Sequence, residues 1–215
     1  MEAGTKETLV NILKKVSRVF NELGIHYVLV GGLACILYGV ERTTLDIDFI
    51  VEKLDEEKAE KLALRLSKEG FYLPGREVLS ALRGGGHATV ILRGLLRLDI
   101  KFASTELDQA SLRNFHEIHL DCTPLKVAGL EENIAAKIAV LGDLKDLEDA
   151  LILMDAYRDA INWDKLRRYL SSDPLEKILK LLDKIESVLS DEEYVVRKVK
   201  YLRTYIMQLL KSLRS

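Results

Sequence analysis

The 215-residue chain predicts an α/β fold of the α+β kind, a mixed β-sheet flanked by helices and followed by a C-terminal helical extension. Three observations carry this expectation. Between Tyr27 and Glu52 an apolar run meets Gly31-Gly32, passes a short helical stretch, crosses the polar turn Gly39 to Thr44 and re-enters an apolar run, which reads as strand, glycine turn, helix, strand. Two more apolar runs, at 87–92 and 95–102, are joined by Arg93-Gly94 as in a hairpin. From Asn162 onwards the apolar residues recur only at helical spacing.

Taken in order, residues 5–23 place Leu9, Ile12, Leu13, Val16, Phe20 and Leu23 at helical spacing, and Gly24 supplies a stop. The first strand follows, then the short helix 33–38, then a second strand bearing Asp46 and Asp48. Residues 55–69 open with acidic side chains and close on Lys68-Glu69-Gly70, the charge order a helix prefers. Pro74-Gly75 marks a turn, and Arg76 to Leu82 reads equally as a short helix or an irregular edge. Gly84-Gly85-Gly86 leads into the hairpin, as a flexible approach or as a ligand-facing loop beside His87. Residues 114–128 alternate around Asp121 to Pro124 and predict another strand pair. Gly129 to Met154 then reads as helical, with Ile134, Ile138 and Leu141 on one stripe and Lys137 beside it. The last stretch carries two stripes, Leu175-Ile178-Leu182-Ile185-Leu189 and Val195-Val199-Leu202-Ile206-Leu209-Leu213. They predict an antiparallel helical pair packed on the sheet domain, or else a homodimer contact. The expected domains are 1–157 and 158–215.

Composition excludes several classes. No apolar run reaches the roughly 18 residues that span a bilayer, and the charged N-terminus precedes no signal-like block, so a cytoplasmic location is expected. Cys35 and Cys122 are the only cysteines and lack metal-ligand spacing. A net charge of −2 argues against a sequence-indifferent coat for nucleic acid. Tyr194, Tyr201 and Tyr205 alternate with basic residues, a pattern for a packed helix margin or for stacking on RNA.

The chemistry concentrates in residues 28–52. Alternation along a strand points Asp46 and Asp48 to one face and Ile47 and Phe49 to the other. Two carboxylates about 6–7 Å apart along a strand suit a hard divalent cation such as Mg2+. Gly31-Gly32 at a helix start lets the backbone approach a phosphate. Together they suggest nucleotide chemistry.

Gly31-Gly32, thirteen intervening residues, then Asp46-x-Asp48 between apolar neighbours resembles the signature of the DNA polymerase beta-type nucleotidyltransferase superfamily. The segments VGGLA, YGVERTT and DIDF are most similar to those of small prokaryotic nucleotidyltransferases associated with toxin-antitoxin and abortive-infection systems. The resemblance is strong over residues 25–52 and extends to about 155. It implies that Asp46 and Asp48 hold one or two Mg2+ ions and that Asp99 is the third catalytic and metal-binding carboxylate. In the sequence Asp99 lies between Arg97 and Lys101 on one face, which also suits a solvated strand of alternating charge. The resemblance further implies that Gly31, Gly32, Arg42, Thr43 and Thr44 clamp the phosphates of an NTP such as ATP. Lys101 and Lys137 would offset their charge, Lys137 lying ahead of Lys145-Asp146-Leu147-Glu148-Asp149 as in related families. For Asp146 and Asp149, capping and ion pairing stand beside a site role.

The expected function is transfer of a nucleoside monophosphate from an NTP to a hydroxyl of tRNA, a partner protein or a small alcohol such as an aminoglycoside. The rivals are a catalytically degenerate antitoxin or assembly subunit, and a metal-dependent phosphohydrolase.

Overall fold

A computed structural model gives the architecture, describing residues 3–84, 86–92, 96–141 and 143–214. The chain divides into two compact units, Met1–Gly129 and Leu130–Ser215. The division falls at Gly129/Leu130, where the sequence reading placed it at 157/158.

The first unit is built on a six-stranded mixed sheet. Its strands are β1 (Tyr27–Val30), β2 (Asp46–Val51), β3 (His87–Ile91), β4 (Arg97–Phe102), β5 (Phe115–Leu120) and β6 (Thr123–Ala128). They lie in the spatial order β3-β4-β2-β1-β6-β5. β1 runs antiparallel to β2 and parallel to β6, and β2 runs parallel to β4. The flanking pairs β3/β4 and β5/β6 are antiparallel, as the two hairpin patterns predict. Gly85, and the Arg93-Gly94 turn with Leu95, lie outside the described residues.

Helices α1 (Ala3–Glu22), α2 (Gly31–Leu37), α3 (Glu56–Lys68), α4 (Gly75–Gly84) and α5 (Glu106–Arg113) complete this unit. The ambiguous stretch after Pro74 is therefore helical, burying Val78 and Ala81. α5 has no counterpart in the sequence reading, although Thr105 and Asp108 form a capping box at its start. One sheet face carries Tyr27, Leu29, Ile47, Phe49, Leu98 and Ile100 against apolar residues of α1, α3 and α4. Phe20, Tyr27 and Phe49 meet there in tilted and edge-to-face contacts with ring centroids 4.8–5.8 Å apart. The opposite face holds a small cluster of Val28, Ile50, Ala103 and Ala128 with Leu112 and Phe115. Burying Ile47 and Phe49 on the first face obliges Asp46 and Asp48 to emerge on the second.

The second unit is helical. α6 (Leu130–Ala136) passes into a π-helical turn, Lys137–Leu141, and α7 (Leu144–Ala156) follows. The expected single helical stretch is thus broken, and Asp143 restarts it by accepting a hydrogen bond from the Asp146 backbone N–H at 2.8 Å. α8 (Trp163–Leu170), α9 (Pro174–Val188) and α10 (Glu193–Arg214) continue, with Asn162 and Asp173 as side-chain caps for the first two. Both predicted stripes are used: Leu175, Ile178 and Leu182 are buried, as are Val195, Val199, Leu202, Ile206 and Leu209, and α10 packs on α9 and α7. At the C-terminal end of the first stripe Ile185 is half-buried and Leu189 is exposed; Leu213, and Leu141 of the earlier stripe, have side chains outside the description. Tyr205 donates from its hydroxyl to Asp155 Oδ2 at 3.1 Å, while Tyr194 and Tyr201 stay exposed. Burial and the Asp155 carboxylate push the Tyr205 hydroxyl up to about 12.

Candidate active site

The strand register assembles the acidic side chains. β2 and β4 pair so that Asp48 lies opposite Asp99 and Asp46 opposite Arg97. Residues directly opposite on neighbouring strands share a face, so Asp46, Asp48, Arg97 and Asp99 occupy one patch of sheet. Asp99 is buried, with 4% of its surface exposed, and a buried carboxylate needs partners. It has two. The Thr89 hydroxyl, opposite it on β3, donates to Oδ1, and the Arg97 guanidinium lies with Nε 2.7 Å from Oδ2. The same Nε stands 3.2 Å from Asp46 Oδ1. Asp99 first and Asp46 next hold the Arg97 guanidinium above its usual pKa.

Gly31 and Gly32 stand at the carboxylate edge of this patch. Gly31 has φ +71°, and a Cβ there would strike the Asp48 carboxylate, its Cγ being only 3.0 Å from the position such a Cβ would take. A Cβ on Gly32 would lie 3.1 Å from the Arg42 guanidinium carbon and 3.2 Å from Thr44 Oγ1. The glycine pair is thus required by close approach, and it brings Arg42 and Thr44 to the same edge. Thr44 Oγ1 also accepts from the Asp46 N–H at 3.2 Å, tying the turn to the first catalytic candidate. Thr43 is exposed in that turn.

Two predicted phosphate contacts are engaged elsewhere. Lys101 Nζ lies 2.7 Å from Asp108 Oδ1 at the start of α5. Burial works to raise the Asp108 pKa, but the Lys101 contact and the N–H groups of Ser104 and Thr105 outweigh it, and the net shift is downward. Lys137, only 2% exposed, is paired with Asp146 and, at 3.0 Å, with Asp149. Burial pushes the Asp146 carboxyl up, and Lys137 offsets only part of that rise. Ion pairing is therefore what the structure shows for Asp146 and Asp149. His87 is exposed, opposite Lys101. Sequence reasoning gave no role to Thr89 or Arg97. The signal for Thr89 was present, since a hairpin pairing of 87–91 with 97–101 puts it beside Asp99; for Arg97 it was the strand face that Arg97 shares with Asp99.

The donor set suits a divalent cation in charge and atom type, all three side chains being carboxylates. A cation already bridges two of them, the Arg97 guanidinium between Asp46 and Asp99. Among the described residues no group of three or more His, Cys, Asp or Glu side chains is arranged to hold a metal ion.

The fold has known counterparts. It aligns with a crystal structure assigned as a nucleotidyltransferase from H. pylori at TM-score 0.52 and 18% identity, covering 100% of this chain and 97% of that one. It aligns with ANT(2'')-Ia in complex with adenylyl-2''-tobramycin at TM-score 0.51 and 17% identity, covering 76% of this chain and 95% of that one. The chain has the nucleotidyltransferase fold. No protein-family model and no curated protein sequence matches it. At such identities the likeness speaks to fold, and chemistry must come from the site itself.

Proposed function

We propose that this chain is a divalent-metal-dependent nucleotidyltransferase that moves a nucleoside monophosphate from an NTP to an acceptor hydroxyl and releases pyrophosphate. The observation that carries the reading is the register of Asp48 with Asp99, two residues from Asp46, on a sheet face bordered by Gly31 and Gly32. One or two Mg2+ ions held by Asp46, Asp48 and Asp99 would supply Lewis acidity at the phosphate oxygens and the leaving pyrophosphate. Asp99, hydrogen-bonded by Thr89, would receive the proton of the acceptor hydroxyl as its oxygen bonds to the α-phosphorus and the bond to the β-phosphate oxygen breaks. Arg42 and Thr44, brought in by the absence of a side chain at Gly32, supply positive charge and a hydroxyl to the phosphates. Thr43 belongs to the same turn and the same role.

A hydroxyl acceptor is consistent with the adenylyl-tobramycin held by the ANT(2'')-Ia counterpart. For this chain the acceptor classes are tRNA, a partner protein and a small alcohol, in the setting of a toxin-antitoxin or phage-defence system. The deciding experiment incubates the protein with Mg2+ and each NTP labelled at the α-phosphate, with total RNA, lysate protein and an aminoglycoside panel as acceptors. Label in an acceptor together with pyrophosphate is the expected result. Orthophosphate without labelled acceptor would identify a phosphohydrolase, and absence of Mg2+-dependent NTP binding would identify a catalytically inert binding protein.

A further inference from the structure

Arg97 is the feature of the site that the proposed chemistry does not use. Its guanidinium stands between the Asp46 and Asp99 carboxylates, at 3.2 and 2.7 Å, where a bound cation would draw on the same oxygens. A metal ion drawing on Asp46 Oδ1 and Asp99 Oδ2 would compete with the guanidinium for those oxygens and be repelled by its charge, so occupancy by one weakens the other. Its hold on Asp46 is the weaker one: half of the arginine side chain is open to solvent, as is nearly half of the Asp46 side chain, and exposed pairs of this kind contribute little. Asp99 is the tighter partner, since its side chain is only 6% exposed. The other cation on this strand face, Lys101, is held by the buried Asp108.

We propose that Arg97 is an exchangeable occupant of the divalent-cation position: it neutralises Asp46 and Asp99 in the ligand-free protein, then leaves them and pairs with nucleotide phosphate once metal is bound. The proposal rests on the metal-binding role given above to Asp46, Asp48 and Asp99. Its physical logic is an exchange of equal kind. A guanidinium matches carboxylate and phosphate alike, in a planar, charge-assisted geometry. When metal takes over the carboxylates, the arginine's best remaining anion is the triphosphate the metal brings with it. Before loading, the arginine reduces the cost of placing carboxylates side by side, and it lowers the apparent metal affinity by the fraction of molecules in which it is seated. Nucleotide and metal thereby become coupled through one side chain.

The test uses the full chain. Without nucleotide, Arg97→Gln removes the competing charge and is expected to bind Mn2+ about three- to tenfold more tightly, read by titration of free Mn2+ in electron paramagnetic resonance. With saturating Mg2+, the same variant is expected to bind inorganic tripolyphosphate about tenfold more weakly, read by calorimetry. Opposite signs in the two assays are the signature of exchange. Unchanged or weaker Mn2+ binding in a folded Arg97→Gln protein would make the residue a fixed strut and overturn the proposal, as would unaltered tripolyphosphate affinity.

A readout on the unmodified protein removes dependence on how the variant folds. Its 15N-labelled Arg97 Nε–H signal, assigned by its loss in Arg97→Lys, should lose exchange protection as Mg2+ saturates. A signal unmoved at saturation overturns the exchange while leaving the metal site standing. A protein that binds no divalent ion overturns the metal-dependent reading, and this proposal with it.

Discussion

Asp46 and Asp48 taken as a bare pair would repel, and neutralising them would be expected to raise the melting temperature. Arg97 alters that expectation, because its guanidinium offsets the charge of Asp46. Asp46→Asn with Asp48→Asn should therefore leave the melting temperature within about 2–4 °C of the parent, the scale of one lost exposed ion pair in a chain of this length. Nucleotidyl transfer should fall at least about a thousandfold, since this reaction depends on offsetting charge at the phosphates. A large thermal loss would mark the pair as structural. Gly31 gives a second, sharper test. Gly31→Ala must place a Cβ both at φ +71° and against the Asp48 carboxylate. The backbone conformation alone costs about 1–2 kcal/mol, and displacement of Asp48 should reduce transfer further. Gly24→Ala is the control: it too has positive φ, but nothing lies within 4 Å of the added carbon. It should lose stability without losing specific activity, and equal loss of activity in both variants would separate Gly31 from the site.

At the scale of elements, the break in the helix of residues 130–156 changes what Lys137 is expected to do. A lysine reaching a triphosphate would contribute little to the unliganded fold, and Lys137→Met would leave stability nearly unchanged. Instead the ammonium is enclosed with two carboxylates, Asp146 and Asp149, both presented by α7. Removing the cation strands two buried acids, and the loss expected for breaking such a pair is about 3–5 kcal/mol. Urea unfolding of Lys137→Met measures it, and a change below about 1 kcal/mol would return the residue to the phosphate role. The expected recovery has a definite sign in pH. Burial already pushes the Asp146 carboxyl up, and without the lysine nothing of that kind offsets the rise, so it binds a proton more readily folded than unfolded. The variant's deficit should shrink as pH falls into the carboxylate range and be largest at neutral pH.

On the scale of the whole molecule, the two apolar stripes of the C-terminal helices decide solubility. α9 and α10 bury most of their positions, Leu175 to Leu182 and Val195 to Leu209, within the second unit, where α10 packs on α9 and α7. Ending the chain after residue 172 removes both helices and uncovers the side of α7 on which α10 rests. Aggregation on expression is the expected outcome, whereas a soluble, monomeric truncation beside a dimeric full chain in light scattering would assign the stripes to dimerisation. Among the described residues no helix is long and apolar enough to cross a membrane.

The order of strands and helices was legible from local signals. Period-two runs, glycine turns and acidic caps act within a few residues, so Gly31-Gly32 and the face shared by Asp46 and Asp48 could be read directly. α5 was legible too in its Thr105–Asp108 capping box, a signal short enough to pass over. What only the tertiary structure decided are the pairings between strands and helices distant in sequence. Parallel alignment of β2 with β4 set Asp48 against Asp99 and Asp46 against Arg97, and that register depends on every side chain packed across the sheet. The same holds for the charges. A row of alternating acids and bases is identical in sequence whether it is solvated or engaged, and only packing directed Lys101 to Asp108, Lys137 to Asp146 and Asp149, and Arg97 into the space between Asp46 and Asp99. An ion pair is fixed by distance and burial, which periodicity along the chain does not contain.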